Sequence, residues 1–432
     1  MRPAPPLLWL LLAWAVVGGA VLAGWLPRWS WQLALGLIAL VALLDLLRLC
    51  RLPSPTVQRH MPEALALDVR RDVQLILQSE RALRMEVFDL APGAWHVDGL
   101  PRGVRLRAGY ATTLDYAVQP PQRGHFHFDG VQLRLFSPWR LWRQQRSVPP
   151  PLDVRVFPNF VPLTRFALFS AEQASRMVGA HLKRRRGEGT DFHQMREYRI
   201  GDSLRQIDWK ATSRARRLVS REYQDEKNQQ MLLMLDTGRR MMASDGGRSH
   251  FDQVLNAALV VSYLALRQGD GVGLHATGGE HRWVAPKRGM ATIDELLRAS
   301  YDLQPQAVAT DYLAAATELA ALQRRRALVM LVTNVRDEDI EDLLAAVKLL
   351  QRRHLVCVAS LREQVLDQAL ERPVHTDTDA ARAGAAALYL QQRAQAHDAL
   401  RSHRVMVLDV TADALPGALV ERYLSVKRDG LL

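Results

Sequence analysis

The chain has 432 residues, of which 48% are hydrophobic and 24% are charged, a composition too apolar for a disordered protein. Lys and Arg outnumber Asp and Glu by 57 to 45, and the resulting net charge of +12 favours acidic partners such as anionic lipid or nucleic acid. The two cysteines, Cys50 and Cys357, belong to no Cys-x-x-Cys or Cys/His cluster, which argues against a disulfide scaffold and a structural zinc site. The length predicts about three domains.

Residues 1–52 contain two apolar runs joined by a short turn at residues 27–30. The first run, residues 7–26, has no charged residue, and a helix of that length rises about 30 Å, which is enough to cross the hydrocarbon core of a bilayer. The second run extends from Trp31 to Leu49 and contains Asp45, which we expect to pair with Arg48 one helical turn away. A signal peptide has a shorter apolar region and no second run, so these residues are predicted to form a transmembrane hairpin.

Arginines that flank the two runs indicate how the hairpin is oriented. Arg2 precedes the first run, and the turn contains only Arg28. The arginines that follow the second run are Arg48, Arg51, Arg59, Arg70 and Arg71. Because positively charged flanks stay on the cytoplasmic side, the pattern predicts a protein of the cytoplasmic membrane with two spans and both termini in the cytoplasm.

Residues 59–160 are predicted to form a β-sandwich-like domain. Short runs of alternating apolar and polar residues recur there, and turns rich in Pro and Gly separate them. The runs lie at residues 65–70, 73–77, 84–89, 113–118, 125–128, 131–136 and 153–157. His125 and His127 share one face of a strand, but no third metal ligand lies nearby in sequence, so we expect a solvated strand face there.

Residues 231–432 alternate apolar strands with long amphipathic helices, which predicts a doubly wound α/β domain. Strands without polar alternation are typical of a parallel sheet that helices cover on both faces. The predicted strands are residues 231–235, 271–275, 328–332, 355–359 and 405–408. Ligands of such domains bind at the carboxyl ends of the strands, so the end of the first strand is the place where chemistry is expected.

The end of that first strand reads LDTGRRM and begins with Leu235 and Asp236. It resembles the metal site of von Willebrand factor A-like domains, which usually starts Asp-x-Ser-x-Ser and also takes a Thr and an Asp from later loops. Gly238 and Arg240 occupy the two serine positions, and of the later residues only Thr310 is a candidate for the family Thr. Since a hard divalent cation needs several oxygen ligands and Arg240 would bring a positive charge to the metal position, we expect a degenerate site that holds no metal.

The segment at residues 161–230 has the most unusual charge pattern in the chain. Between His181 and Glu222, 12 Lys and Arg are interspersed with 6 Asp and Glu, so these 42 residues hold half of the net charge. Four interpretations are open: an Arg–carboxylate network that docks domains or a partner, a nucleic-acid groove, a metal-dependent hydrolase, and a solvated linker. The docking network is favoured, because interspersed carboxylates interrupt a phosphate track and linkers rarely contain Trp and Tyr among charged residues.

The sequences RRGEGTDF at residues 185–192 and REYRIGDSLRQIDWK at residues 196–210 closely resemble the signature of the domain of unknown function fifty-eight family. QRGHF at residues 122–126 and VFPN at residues 156–159 also resemble that family, while Lys183 stands where it often has Ser. The residues expected to form a partner-binding signature are Arg185, Arg186, Gly187, Glu188, Gly189, Asp191, Arg196, Glu197, Tyr198, Gly201, Asp202, Arg205, Asp208 and Trp209.

The resemblance implies a function as well as a domain order. Members of this family are commonly associated with MoxR-type AAA+ ATPases, and such pairs resemble remodelling systems that mature other complexes at the inner membrane of bacteria and archaea. The chain is therefore expected to be a non-enzymatic, membrane-anchored adaptor or assembly factor without a cofactor. Its expected partners are such an ATPase, the lipid bilayer and other von Willebrand factor A-like membrane proteins, while nucleic acid is disfavoured. The alternative is a membrane-tethered nucleic-acid-binding protein or nuclease that uses residues 181–222.

A reporter enzyme fused after Leu432 should be active in the cytoplasm, because the arginine bias places both ends of the hairpin there. Fusions of a reporter that works only in the cytoplasm and of one that works only outside it measure this directly. Activity of the second reporter would contradict the predicted orientation.

Overall fold

The computed structural model describes residues 1–159, 191–199, 207–224, 229–245 and 247–431. The chain forms two compact units, Met1–Phe157 and Pro158–Leu432. Along the chain, two apolar helices come first, a strand-rich region follows, and an α/β domain with a mixed sheet comes last. This order agrees with the coarse architecture that the sequence predicts.

Two helices, α1 (Pro5–Leu22) and α2 (Arg28–Cys50), are both long and apolar enough to cross a membrane. Of the most apolar window of each helix, only 6% and 11% is buried inside the protein. A helix of a soluble core would bury a wide apolar stripe against its neighbours. The apolar surface of these helices therefore needs a cover that the described part of the chain does not supply.

The two helices contact each other through tryptophans. The rings of Trp14 and Trp31 stack with centroids 4.6 Å apart and an interplanar angle of 12°. The Trp14 indole N–H also donates to the backbone carbonyl of Trp31 at 3.1 Å. Gly18 makes this contact possible, because a Cβ atom there would lie 2.8 Å from the Trp31 ring nitrogen.

Twelve strands belong to the first unit: β1 (Arg2–Pro3), β2 (Thr56–His60), β3 (Ala64–Ala66), β4 (Arg71–Gln78), β5 (Leu83–Asp89), β6 (His96–Asp98), β7 (Arg102–Leu106), β8 (Ala111–Gln119), β9 (Gly124–Phe128), β10 (Val131–Phe136), β11 (Trp142–Val148) and β12 (Leu152–Phe157). They form three sheets with the orders β1-β11-β10-β5-β7, β2-β4-β8-β6 and β3-β12-β9. All three sheets contribute side chains to one apolar core. The alternation predicts most of the long strands, whereas β11 escapes detection because both of its faces are partly exposed and polar.

Asp45 joins α2 to the strand-rich region, which corrects the predicted pairing with Arg48. Its carboxylate is fully buried and accepts hydrogen bonds from the Ser137 hydroxyl and from the backbone N–H groups of Trp139 (3.0 Å) and Leu141 (3.2 Å). Arg48 instead lies over the Trp139 ring, 4.6 Å from its centroid. A buried carboxylate needs such donors, so Asp45 fixes the loop between β10 and β11 on the helix.

Side chains of the strand-rich region also donate to carbonyls in the last turns of α2 and just after it. The Trp142 indole N–H donates to the Ala42 carbonyl at 2.9 Å. The Arg146 guanidinium donates to the carbonyls of Leu49 (3.3 Å) and Leu52 (2.8 Å). Because the final carbonyls of a helix have no partner inside it, Arg146 completes the end of α2, while Trp142 adds a bond to a carbonyl inside the helix.

The second unit contains helices α3 (Trp209–Ala215), α4 (His250–Arg267), α5 (Ala291–Ser300), α6 (Tyr312–Leu322), α7 (Ile340–Gln351), α8 (Gln364–Glu371), α9 (Asp377–Ser402) and α10 (Leu415–Arg428). Its strands are β13 (Asp191–Glu197), β14 (Val219–Gln224), β15 (Gln230–Asp236), β16 (Ser244–Asp245), β17 (Arg248–Ser249), β18 (Gly271–Thr277), β19 (Arg282–Lys287), β20 (Leu328–Thr333), β21 (Leu355–Arg362) and β22 (Met406–Thr411). Short 3-10 turns occupy Arg239–Met241 and Asp337–Asp339.

The central sheet of this unit has six strands in the order β19-β18-β15-β20-β21-β22. Five strands are parallel, and β19 is antiparallel to β18, so the predicted parallel sheet is mixed. The cause is the tight connection at residues 278–281, which is too short for the helical crossover that a parallel strand needs. Alternate residues of β15 enter two different cores, Leu233 and Leu235 in one and Leu232 and Met234 in the other, so both faces of the sheet are covered.

The Asp45→Ala substitution should loosen the loop between β10 and β11, because it leaves three donors without their acceptor, two of them buried. Loss of such a partner costs about 1–3 kcal/mol. Hydrogen exchange of the Trp139 and Leu141 amides in the detergent-solubilised protein should accelerate roughly ten-fold or more. The matched control is Arg48→Ala, which removes only a cation–π contact of about 0.5–1 kcal/mol and should leave both amides protected. Equal exchange rates in the two variants would contradict the assigned role of Asp45.

Candidate functional site at the end of strand β15

The strand order of the central sheet indicates where a ligand would bind. After β15 the chain adds β18 and β19 on one side, and then β20, β21 and β22 on the other side. The winding direction thus reverses between β15 and β20, and open α/β sheets bind ligands outside the carboxyl ends of their strands at this point. Asp236 is the last residue of β15, and Thr333 is the last residue of β20.

The Asp236 carboxylate is fully buried, and both of its oxygens accept two hydrogen bonds. Oδ1 accepts from the Gly238 N–H at 2.8 Å and from the Thr310 hydroxyl at 2.6 Å. Oδ2 accepts from the Thr333 hydroxyl at 2.6 Å and from the Tyr312 hydroxyl at 2.9 Å. Four donors thus stabilise a charge that would be unfavourable if it were buried alone.

Gly238, which stands at the first serine position of the family pattern, is required by this packing. A Cβ atom at residue 238 would lie 2.2 Å from Thr310 Oγ1 and 2.8 Å from the Val308 carbonyl. Gly278, with φ +106°, approaches the same hydroxyl, and a Cβ atom there would lie 2.3 Å from it. The Thr310 hydroxyl therefore fills the space that a serine side chain would need, and two glycines line it.

Tyr312 is the donor that the sequence analysis missed. Burial and the nearby Asp236 carboxylate raise the pKa of its phenol well above the ordinary value, so the hydroxyl stays protonated and continues to donate. Its position at the start of an apolar helical stripe predicts a residue that packs in the core. Nothing in the sequence indicates that its hydroxyl also donates a hydrogen bond to Asp236. Tertiary packing brings α6 to the end of β15, and this placement cannot be read from local sequence.

Arg240, the residue at the second serine position of the family pattern, forms ion pairs with a neighbouring loop. Its guanidinium pairs with Asp339 at 2.8 Å and with Glu338 at 2.6 Å, both in the turn after β20. Partial burial by itself would lower the pKa of Arg240, but the hydrogen bonds to Asp339 and Glu338 outweigh this and raise it. Arg240 therefore links the loops after β15 and β20 above the buried carboxylate.

The donor set around Asp236 does not fit a hard divalent cation. Such an ion takes six to eight oxygen ligands, and even Mg²⁺, which keeps several waters, binds through the free oxygens of one or two carboxylates. Asp236 is the one carboxylate in this set of contacts, the Gly238 N–H cannot ligate a cation, and the three hydroxyls already direct their protons at the oxygens that a cation would use. Thr310 does lie beside Asp236, as its resemblance to the family Thr suggests.

A second polar cluster joins the ends of β20, β21 and β22 around Arg393. This side chain on α9 is 2% exposed, and its guanidinium donates to the Asn334 side chain (2.7 Å), the Leu361 carbonyl (2.8 Å) and Asp409 (3.1 Å). Arginine is suited to this position because its planar fork satisfies several acceptors at once. The sequence signal is its spacing, since Arg393 lies seven residues from both Ala386 and Leu400 on the buried face of α9.

The predicted signature is described in part. Asp191, Arg196 and Glu197 lie in β13, which pairs antiparallel with β14. Tyr198 follows, and its N–H donates to the Leu218 carbonyl at 2.9 Å. Eight predicted residues lie outside the described part of the chain: Arg185, Arg186, Gly187, Glu188, Gly189, Gly201, Asp202 and Arg205.

Asp208 and Trp209 begin α3, which connects β13 with β14. Asp208 Oδ1 accepts from the N–H groups of Lys210 and Ala211, both at 3.0 Å, so this carboxylate caps the helix. Trp209 is 68% exposed at the first position of the helix. Glu197 and Arg217 lie 3.8 Å apart on the surface, a pair that contributes little to stability. The described signature therefore presents an exposed indole on a capped helix.

Added Mg²⁺ should produce no saturable rise in the Tm of the protein, because the oxygens of Asp236 are occupied and further carboxylates are missing from its contacts. Thermal denaturation at increasing Mg²⁺ concentration measures this. A saturable rise that disappears in Asp236→Ala would contradict the interpretation of the site as a closed hydrogen-bond network.

Solved structures resemble parts of this chain only weakly. BatB from Bacteroides thetaiotaomicron is 12% identical, covers 46% of this chain and 99% of its own, and has a TM-score of 0.29. A fragment of native alpha-2-macroglobulin from Escherichia coli is 19% identical, covers 24% of this chain and 17% of its own, and has a TM-score of 0.19. TM-scores this low support no argument about fold or function.

Sequence comparison gives a more specific result. "Uncharacterized protein YeaD" of Bacillus subtilis (strain 168) is 22% identical over 194 residues, which are 43% of this chain and 44% of that protein. The chain thus spans less than half the length of this relative. Residues 194–395, which include Asp236 and Arg393, match the family described as "Protein of unknown function DUF58", the family that the signature resembles.

Proposed function

We propose that the protein is a non-enzymatic, membrane-anchored adaptor or assembly factor that binds other proteins through its α/β domain and signature. The observation that carries the proposal is the Asp236 carboxylate, whose two oxygens are both occupied by donors from the same chain. At the point of the sheet where a metal or substrate would bind, hydrogen-bond donors of the same chain occupy the carboxylate. A closed polar cluster supports a rigid scaffold better than a reaction centre.

The anchor is proposed to be the helix pair α1 and α2, inserted in the inner membrane with both termini in the cytoplasm. The outward apolar surface of these helices and the arginines that flank them support this arrangement. Asp45 would then lie at the cytoplasmic end of α2, where the strand-rich region covers it. A carboxylate in lipid is strongly unfavourable, so the buried hydrogen bonds explain how an acidic residue is tolerated in the second span.

The α/β domain is proposed to be von Willebrand factor A-like. Asp236 and Thr310 are the two residues that this resemblance places in the metal site, and their side chains lie 2.6 Å apart. The domain would keep the position of that site while it replaces the ion with hydroxyl donors from Thr310, Thr333 and Tyr312. Binding of a partner would then depend on surface residues rather than on a bridging ion.

The partner is proposed to be a MoxR-type AAA+ ATPase, by resemblance to the family, and the signature is its proposed contact. Trp209 supports this assignment, because an aromatic side chain that is 68% exposed on a protein surface is typical of an interface anchor. Other von Willebrand factor A-like membrane proteins are a second proposed class of partner.

Affinity purification of the full-length protein from native membranes should recover a MoxR-type ATPase, and Trp209→Ala should reduce the recovered amount at least about ten-fold, as expected for a hot-spot residue. Quantitative mass spectrometry measures the recovery. The matched control is Tyr110→Ala, since Tyr110 in the strand-rich region is 69% exposed, and this variant should recover the wild-type amount. Asp208→Asn removes the charge of this side chain but keeps the helix cap, because Asn caps a helix about as well as Asp. This variant therefore tests whether the charge itself contributes to recovery of the ATPase.

The alternative is a membrane-tethered nucleic-acid-binding protein or nuclease, and the same variants address it. Absence of the ATPase from wild-type membranes, together with binding of DNA or RNA that weakens steeply with salt, would replace the adaptor proposal with this alternative. Nuclease activity that is lost in Asp208→Asn, with α3 still folded, would assign a catalytic role to that carboxylate.

A further inference from the structure

Three side chains of the α/β domain bring metal-binding atoms together away from Asp236: His275, His281 and Glu318, which we call the His/Glu triad. Their candidate ligand atoms all lie within 4.8 Å of one another, and within the described part of the chain this is the one group of three such residues at that spacing. His275 lies in β18, His281 precedes β19, and Glu318 lies in α6. The three therefore come from separate elements that the fold places side by side.

The distances within the His/Glu triad suit a common ion. Glu318 Oε2 lies 3.5 Å from His275 Nε2 and 3.4 Å from His281 Nδ1. Zinc–ligand bonds of about 2.0–2.1 Å at tetrahedral angles hold neighbouring ligand atoms about 3.3 Å apart. Both separations from Glu318 are close to this value, and the two histidine nitrogens lie within 4.8 Å of each other, so the two rings would move toward each other to bind one ion.

His275 supplies the strongest argument for a ligand. The residue is 1% exposed, its Nδ1 has no hydrogen-bond partner among the described residues, and its Nε2 has only the long 3.5 Å contact with Glu318 Oε2. Buried polar atoms are nearly always paired, because an unpaired one loses its hydration without compensation. A metal ion bound between Nε2 and Glu318 would give Nε2 the short contact that Glu318 alone does not supply. Trp283 packs edge-on against the imidazole, with ring centroids 5.9 Å apart, and restricts its orientation.

The opposite side of the His/Glu triad is open. His281 and Glu318 have side chains that are 61% and 44% exposed, so an ion can enter from solvent and water can complete its coordination.

We propose that His275, His281 and Glu318 bind a divalent transition-metal ion of the zinc type, with water as the fourth ligand. Two imidazoles and one carboxylate form a set that zinc prefers and that Mg²⁺ and Ca²⁺, which take oxygen ligands, disfavour. The ion fastens α6 to β18. Since Tyr312 at the start of α6 donates to Asp236, the ion also stabilises the helix that closes the candidate site.

The test uses the full-length protein in detergent, first stripped with a chelator and then freed of it, with Zn²⁺ alone as the probe. A competition titration with a chromophoric zinc chelator should give saturable 1:1 binding, and Zn²⁺ should raise the Tm. His281→Ala and Glu318→Gln, both at exposed positions that tolerate change, should each weaken the Kd by at least about 10–100-fold and remove the rise in Tm. Co²⁺ in place of Zn²⁺ should give visible absorption bands of a four-coordinate site in the wild-type protein and in neither of these two variants.

The matched control is His127→Ala, which removes a second exposed histidine–carboxylate contact, the one between His127 and Asp153 at 2.8 Å in the strand-rich region. This variant should bind Zn²⁺ with the wild-type Kd. The proposal is overturned if the wild-type protein shows no saturable Zn²⁺ binding, if the two triad variants keep the wild-type Kd, or if His127→Ala alone abolishes binding.

Discussion

A single buried carboxylate organises the end of the α/β domain. Asp236 lies where the winding of the sheet reverses, and its charge is tolerable there only because Gly238, Thr310, Thr333 and Tyr312 donate to it. These donors come from the loop after β15, the loop before α6, the end of β20 and the start of α6. Because each must reach the same two oxygens, the carboxylate sets the relative positions of three separate segments, the loop after β15, the start of α6 with the loop before it, and the end of β20.

The strand-rich unit also contains a buried carboxylate that several donors stabilise, Asp45, but its donors are of a different kind. There a helix supplies the carboxylate, and the loop between β10 and β11 supplies backbone N–H groups and one hydroxyl. Arg393 is the cationic counterpart, a buried guanidinium whose acceptors lie at the ends of three strands. In each case one charged side chain binds several polar groups from different segments, and its removal would leave those groups unpaired.

Local patterns account for much of the fold but for little of the polar chemistry. Apolar periodicity identifies the two long helices and the strands β15, β18, β20, β21 and β22, because burial on a fixed face repeats along the chain. It misses β19 and β11, whose residues are partly exposed. The sequence indicates Asp236 through its position after a buried strand, and Thr310 through resemblance to a family pattern. It does not indicate Tyr312, Arg393 or the grouping of His275, His281 and Glu318. Those depend on which helix faces which strand, a relation between residues that are distant in sequence.

The attachment of α2 to the strand-rich unit has a mechanical consequence. The Asp45 carboxylate, the Trp142 indole and the Arg146 guanidinium clamp the last two turns of the helix, and only residues 51–55 separate that helix from β2. A displacement of the loop between β10 and β11 would therefore carry the end of α2 with it, since these three side chains join the strands to the helix.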